Sequence, residues 1–362
     1  MASDTETRRD EFVNRIFESS VGMMDVLTLY MGDRLGLYRA LAEAGPSTPG
    51  QMAERAGIHP RYAREWLEQQ AVTGILEVED AAANEDERRY LLPDAHAEPL
   101  LDLDSPYSIA PLPRSIAAAA KALPKLLDAY RTGGGVEWEE YGADMIEAQG
   151  DFNRPWLKAS LGNEYLPSIP DIHERLSSDP PARVADVACG VGWAAIAIAK
   201  AYPKPMVEGF DLDASSIELA RGFAQEAGLV DRVRFEAMDA ADPSLFSKFD
   251  LAVMIEALHD VSRPVDVLRA IKGMLAPGGT AVIADERVGD EFTAPGEDNE
   301  RVFYGYSVLT CLPAAMGDPE TRATGTVFRR SKLKAYSTEA GFRSVEVLPI
   351  EHDFLRFYRL TP

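Results

Sequence analysis

The chain has 362 residues, 46% of them apolar, which is enough to bury a full core, and its length favours two domains over one. Its 59 acidic residues outnumber 37 basic ones, and the formal charge of −22 excludes a general binder of nucleic acid or other polyanions. No window approaches the roughly 18 uninterrupted apolar residues of a membrane span, and Cys189 and Cys311 form neither a disulfide framework nor a CxxC site, so the expectation is a cytoplasmic protein with no signal peptide and no membrane helix.

From Phe12 to Leu41, apolar residues (Phe12, Ile16, Met23, Met24, Leu27, Tyr30, Met31, Leu35, Leu37, Leu41) recur at helical spacing, too many for one helix pair to bury. The stripe suits either a dimer seam or packing within the monomer. Next come a short helix over Thr48–Ala56, a turn at Gly57-Ile58-His59-Pro60 and a helix over Arg61–Thr73. Two short strands, ILEVE and RRYLL, follow, joined by the acidic loop Asp80–Glu87. This is the pattern of a winged helix-turn-helix. Ser47–Leu92 nevertheless holds five Arg, no Lys and nine Asp or Glu, a net −4, whereas a DNA reader neutralises phosphates with cations. A structural role for the wing is therefore expected, and no nucleic-acid partner.

Between Pro99 and Leu176 the sequence predicts a helical connector with a break at Gly133-Gly134-Gly135, and it carries Trp138, Tyr141, Phe152 and Trp156. Phe152, Arg154 and Trp156 are its candidates for the wall of a substrate cavity. The polar, proline-bearing run Ser177-Ser178-Asp179-Pro180-Pro181 is the expected boundary, dividing a helical domain, 1–178, from an α/β domain, 179–362.

In the second domain the buried strand RVADVA runs into Cys189-Gly190-Val191-Gly192 and a helix from Trp193 to Tyr202. Strand, glycine turn and helix N-terminus make a nucleotide-type entry, because a Cβ would obstruct close approach and free N–H groups face an anion. A second strand, Val207–Phe210, ends in Asp211, nineteen residues after Gly192, a distance that suits a grip on ribose hydroxyls. By itself this turn also satisfies the GxGxx[G/A] of nicotinamide dinucleotide sites. The remaining pattern is a strand VRFEAM ending at Asp239-Ala240, and a strand FDLAVMI ending at Glu256-Ala257-Leu258-His259-Asp260. A helix from Pro264 to Leu275, a turn at Pro277-Gly278-Gly279 and a strand Thr280–Asp285 follow. After an insertion over 289–330, a helix Ser331–Ala340 leads to two strands, Arg343–Pro349 and Asp353–Leu360, able to pair antiparallel.

Taken in order, these motifs make residues 180–362 resemble a class I S-adenosylmethionine-dependent methyltransferase. The fold implied is a doubly wound, Rossmann-like seven-stranded α/β sheet with an antiparallel terminal hairpin, preceded by a mainly helical winged-helix domain. The resemblance places Asp186, Ala188, Gly190 and Gly192 at the methionine part of the cofactor, and Asp211 with Leu212 at the ribose. Asp239, flanked by Met238 and Ala240, falls at the adenine amino group, and Glu256 with Ala257 beside the methyl group. Ala188 stands where the family's DxGxGxG has its first glycine. The whole chain is similar in layout to small-molecule O-methyltransferases of bacteria and plants, whose N-terminal segment and degenerate winged helix serve dimerisation. A homodimer through the N-terminal domain and a small-molecule substrate are what that layout implies.

Methyl transfer is an in-line displacement, so positioning dominates, and a hydroxyl acceptor gains from a base that removes its proton. His259 is the candidate base. It follows the fourth strand on the carboxyl edge of the sheet, and the His259-Asp260 pair matches the catalytic position of the similar plant enzymes. Asp285 and Glu286, ending the neighbouring strand, can orient an imidazole; His352 is a weaker alternative, and His59, His96 and His173 are read as structural. With no His or Cys at ligand spacing from another, no metal is expected. The insertion, carrying Phe303, Tyr304, Tyr306, Cys311, Met316 and Phe328, is expected to form helices that lid the acceptor pocket, with Tyr304 on its lining. The leading reading is methyl transfer to a hydroxyl or phenol of a secondary metabolite, leaving S-adenosylhomocysteine. Its rivals are a ligand-sensing, winged-helix DNA-binding regulator and a nicotinamide-dependent reductase, the latter lacking a Tyr-x-x-x-Lys pair.

Overall fold

A computed structural model describes residues 4–362. Two compact units emerge, and they do not part at the 178/179 linker. One takes the chain through Ala118 together with Glu147–Pro155, the other takes Ala119–Ile146 and Trp156–Pro362. The physical reason lies in the second half of the connector. Leu157, Leu161, Leu166, Ile169, Ile172 and Leu176 are buried in one cluster with the sheet residues Val184, Val207 and Val253, so this segment belongs to the sheet's core.

The first unit contains α1 (Asp4–Arg34), α2 (Leu37–Ala44), α3 (Pro49–Ala56), α4 (Pro60–Val72), β1 (Glu77–Val78), β2 (Tyr90–Leu91) and α5 (Asp94–Leu101). Helices α6 (Pro111–Thr132) and α7 (Ala143–Trp156) contribute residues to both units. Thr48 and Gln51 form a capping box at the start of α3, and Pro60 opens α4 behind the capping ring nitrogen of His59. β1 and β2 pair antiparallel as the wing. The apolar stripe divides. Leu37 and Leu41 enter a core with Met52, Trp66, Leu67 and Tyr90, while Phe12, Phe17 and Met24 on α1 stay 55%, 69% and 65% exposed in the single chain. Inside this unit the buried Arg114 guanidinium donates to both carboxylate oxygens of Asp33 (2.7 and 2.9 Å) and to Asp151 (2.8 Å). Such paired, fully bonded burial is how a charge survives in a core.

The second unit continues with α8 (Pro170–Ser177), β3 (Arg183–Val187), α9 (Trp193–Ala201), β4 (Met206–Asp211), α10 (Ala214–Glu226), β5 (Val233–Ala237), β6 (Phe249–Ile255), α11 (Pro264–Met274) and β7 (Leu275–Glu286). Then follow α12 (Asp298–Tyr306), α13 (Leu312–Ala315), α14 (Arg330–Glu339), β8 (Ser344–Val347) and β9 (Leu355–Thr361). The sheet order is β5-β4-β3-β6-β7-β9-β8, with β9 antiparallel to both neighbours. Order reverses between β3 and β6, which makes the carboxyl edge there the place where open α/β sheets take ligands. An apolar cluster lies on each face, as expected for near-continuous apolar strands such as FDLAVMI.

One expected turn is corrected. Pro277-Gly278-Gly279 lies inside β7, where the register jumps from Phe249↔Leu275 to Leu251↔Thr280. A Cβ on Gly279 would lie 2.7 Å from the Phe249 carbonyl oxygen, so glycine lets the extra loop fold against β6 without ending the strand. Among the described residues no helix is long and apolar enough to cross a membrane.

Candidate active site

The glycine turn after β3 is held by backbone geometry. Gly190 and Gly192 adopt φ of +50° and +84°, the left-handed region that favours glycine. A Cβ on Gly192 would also meet the Phe235 ring at 2.4 Å, whereas one on Gly190 would meet nothing within 4 Å, so the turn presents open space at Gly190. Ala188, in the place of a first glycine, is itself at φ +54°, a conformation that costs an L-residue about 1–2 kcal/mol. Glu256, after β6, is also left-handed at +51°, with its N–H donating to the Ala284 carbonyl at 2.7 Å.

Two acids frame this turn. Asp186 is buried and accepts from the Ala195 N–H at 3.0 Å, filling one of the unpaired donors at the start of α9. Burial pushes its carboxyl up to about 7. Asp211 accepts from the Gly190 N–H (2.8 Å) through one oxygen and from the Asp213 N–H (2.9 Å) through the other. Each oxygen keeps a second lone pair, so the carboxylate is aimed yet still able to accept two hydroxyls. Burial raises its pKa despite these bonds. The Met238 N–H donates to the Asp211 carbonyl, which ties the ends of β4 and β5 together and sets Asp239, exposed and bonded to the Ala241 N–H, at the same edge. Leu212 is 78% exposed, and Ala240 is half-buried.

Across the order reversal, the short helical turn Leu258–Asp260 carries His259 into the interior, 2% exposed. Nδ1 lies 2.9 Å from Asp285 Oδ1, as a hydrogen bond, and 2.7 Å from Glu286 Oε2; Nε2 lies 3.1 Å from Asp260 Oδ1. Asp285 and Glu286 are equally buried at the end of β7, the strand beside β6. Burial opposes charge on the imidazole, but Asp260, Glu286 and Asp285 outweigh it and hold His259 well above its ordinary value. Burial and the neighbouring carboxylate push Glu286 well up, while His259 overcomes burial to hold Asp285 low.

The residues foreseen for an acceptor wall occupy separate settings. Arg154 donates to Asp104 at 2.6 Å in the first unit, where Phe152 is half-buried. Trp156 packs edge-on against His352 (5.0 Å between centroids) and Phe357 in the second, and Tyr304 stands with its hydroxyl 3.5 Å from Arg329. His352 spends Nδ1 accepting the Phe354 and Leu355 N–H groups, which fixes a turn. His59 caps α4, His96 Nδ1 meets the Ile75 carbonyl, and His173 meets the Tyr202 hydroxyl.

Sequence reasoning left Cys311 among the aromatics of the insertion. The structure brings its Sγ within 4.8 Å of a His259 ring nitrogen and an Asp260 carboxylate oxygen. No spacing rule could have found it, since fifty-two residues separate it from His259. His259 with Asp260 and Cys311, or with Asp285 and Glu286, has the donor atoms to hold a metal ion. Both ring nitrogens already face carboxylates.

Comparison with known proteins bears on the family and the fold. Residues 178–329 match a family described as a methyltransferase domain, and residues 23–101 a winged helix-turn-helix domain of the Rv2258c-like type. An O-methyltransferase of Aspergillus nomiae is 34% identical over 181 residues, 50% of this chain and 72% of the relative. The solved mitomycin 7-O-methyltransferase superposes with a TM-score of 0.72 at 19% identity over 99% of both chains. Human N-acetylserotonin methyltransferase, solved with S-adenosylmethionine, gives 0.66 at 16% over 99% of this chain and 98% of its own. At such identities the structural likeness concerns the fold. Against the first curated relatives, the chain spans between 36% and 54% of their length.

Proposed function

This chain belongs to the S-adenosylmethionine-dependent methyltransferase family, and we propose that it methylates the hydroxyl or phenol of a small secondary metabolite, with His259 taking the acceptor's proton. The observation that carries this reading is the His259 cluster: a buried imidazole at the end of β6, oriented through Nδ1 by Asp285, on the same sheet edge as the glycine turn.

Bound S-adenosylmethionine supplies an electrophilic sulfonium methyl. The residues present fit it. Open space over Gly190 and the N-terminus of α9 suit the methionine carboxylate, Asp211 has lone pairs for two ribose hydroxyls, and Asp239 stands at the adenine end. Glu256, left-handed after β6, and Ala257 beside it would border the methyl group. Asp285 fixes Nδ1 of His259, so Nε2 is the nitrogen that meets an acceptor. An acceptor hydroxyl replaces Asp260 at Nε2 and passes its proton there, which raises its nucleophilicity at the moment of displacement. The residues of the insertion, Tyr304 included, and Trp156, all in the second unit, are the proposed shell for the rest of the acceptor.

The exposed apolar face of α1, with Phe12, Phe17 and Met24, supports a homodimer through the N-terminal segment. The wing's arginines support a structural rather than DNA-reading role. Arg61, Arg64, Arg88 and Arg89 are each paired with an acid, and Arg55 donates to Ser47. Transfer of labelled methyl from S-adenosylmethionine to a panel of phenols tests the function. Labelled phenyl ethers in the wild type, lost in His259→Ala, are expected; label appearing on amines or carbon acids alone would overturn the acceptor class.

A further inference from the structure

Helix α12 does not stop at Tyr306. It widens into a π turn over Ser307–Cys311, in which the Leu312 N–H reaches back five residues to the Ser307 carbonyl, before α13 resumes the chain. The cause is Pro313, which has no N–H to serve the carbonyls of Val308 and Leu309. Those two oxygens are served from elsewhere. The Tyr130 hydroxyl donates to Val308 (3.0 Å), the Tyr141 hydroxyl to Leu309 (2.9 Å), and the Val136 N–H to Pro313 itself (3.0 Å). All three donors come from the 119–146 segment, in the same compact unit as the insertion. Gly135 is required between them, because a Cβ there would lie 2.7 Å from the Pro313 oxygen.

The widened turn rotates its last residues inward. Val308 and Leu309 are exposed, while Thr310 and Cys311 are buried, and Cys311 Sγ joins His259 and Asp260 within 4.8 Å. Asp260 lies at Nε2, the nitrogen left to an acceptor once Asp285 takes Nδ1, and the thiol lies within 4.8 Å of that Asp260 carboxylate. Burial pushes the thiol up to about 11, so it is a compact neutral group there.

We propose that Cys311 is a specificity-determining residue for the methyl acceptor, bordering the receiving atom at His259, and that the Pro313 π turn, clasped by the Tyr130 and Tyr141 hydroxyls, positions it. This rests on the reading of His259 as the acceptor-facing group. Tyr141 is then a positioning residue, acting through the turn.

Two measurements separate this proposal from that reading. In histidine-15N-labelled protein, Cys311→Ala and Tyr141→Phe should each shift the His259 ring resonances while affinity for S-adenosylhomocysteine stays within twofold. Unchanged resonances in both variants would overturn the proposal whatever the acceptor. With catechol and 3-isopropylcatechol as probes, Cys311→Ala should raise the bulky-to-slim ratio of kcat/KM about tenfold and Cys311→Leu should lower it, as expected for a group of one or two carbons in a fitted site. A ratio within twofold of wild type in both variants would also overturn it. If the wild type methylates neither probe, the resonance measurement still decides the role of Cys311.

Discussion

The two sides of the sheet's order reversal are built by different means. On the β3–β4 side the work is done by backbone. Two left-handed glycines, a strained alanine and two carboxylates bound to N–H groups all lie within the stretch from Asp186 to Asp213. On the β6–β7 side it is done by side chains that the fold gathers from separate stretches, His259, the Asp285–Glu286 pair and Cys311. The first side depends on left-handed backbone, with no room for a Cβ at Gly192; the second depends on charge balance. A binding surface made of backbone holds a cofactor shared by a whole family, and one made of side chains can be changed to suit one acceptor.

If that division is right, truncation on the side-chain side should leave binding of the cofactor intact. His259→Ala is expected to slow methyl transfer to a phenol by about 10²- to 10⁴-fold, with affinity for S-adenosylhomocysteine unchanged by calorimetry. A parallel loss of affinity would merge the two sides into one.

Adding a single methyl on the backbone side should do the opposite. Gly192→Ala must place a Cβ against Phe235 at φ +84°, at a cost of about 3 kcal/mol from overpacking and left-handed strain together. Chemical denaturation should show the loss, and cofactor affinity should fall with it.

Charge balance sharpens the comparison through pH. A base must be neutral, and His259 is held well above its usual value, so the rate should climb with pH and reach half its maximum above 6.5. Asp260→Asn removes the largest of the raising charges and should move the profile to lower pH. The stability that these carboxylates give the imidazolium is present below its unfolded pKa, near 6.5, and lost as pH rises through the folded value. A rate profile that Asp260→Asn leaves in place would show that His259 does not carry the proton. The smallest effect expected is from Ala188→Gly, which relieves a left-handed alanine and should stabilise the protein by up to about 1 kcal/mol, read from the denaturation midpoint.

The same division explains what could be read before folding. The glycine turn, Asp211 and Asp239 announce themselves by order and spacing, because each acts within a strand or two of the next. His259 and the Asp285–Glu286 pair were legible as strand ends on adjacent strands, and the sheet brings them together. Cys311 was not, for its place depends on a π turn made by Pro313 and clasped by tyrosines about 170 residues away. The boundary at 178/179 followed polar composition, whereas packing followed the apolar face of 157–176. The apolar stripe from Phe12 to Leu41 left two readings open, and the structure divides it between the core, reached by Leu37 and Leu41 on α2, and an exposed face on α1.

Calorimetric titration with S-adenosylmethionine, S-adenosylhomocysteine and NADH, on wild type and on Asp211→Ala, tests the central claim most directly. The account predicts micromolar binding of the two sulfur compounds alone, lost by about a hundredfold when Asp211 can no longer accept from the ribose or aim the Gly190 N–H. Binding of NADH alone, or affinity unchanged in the variant, would contradict it.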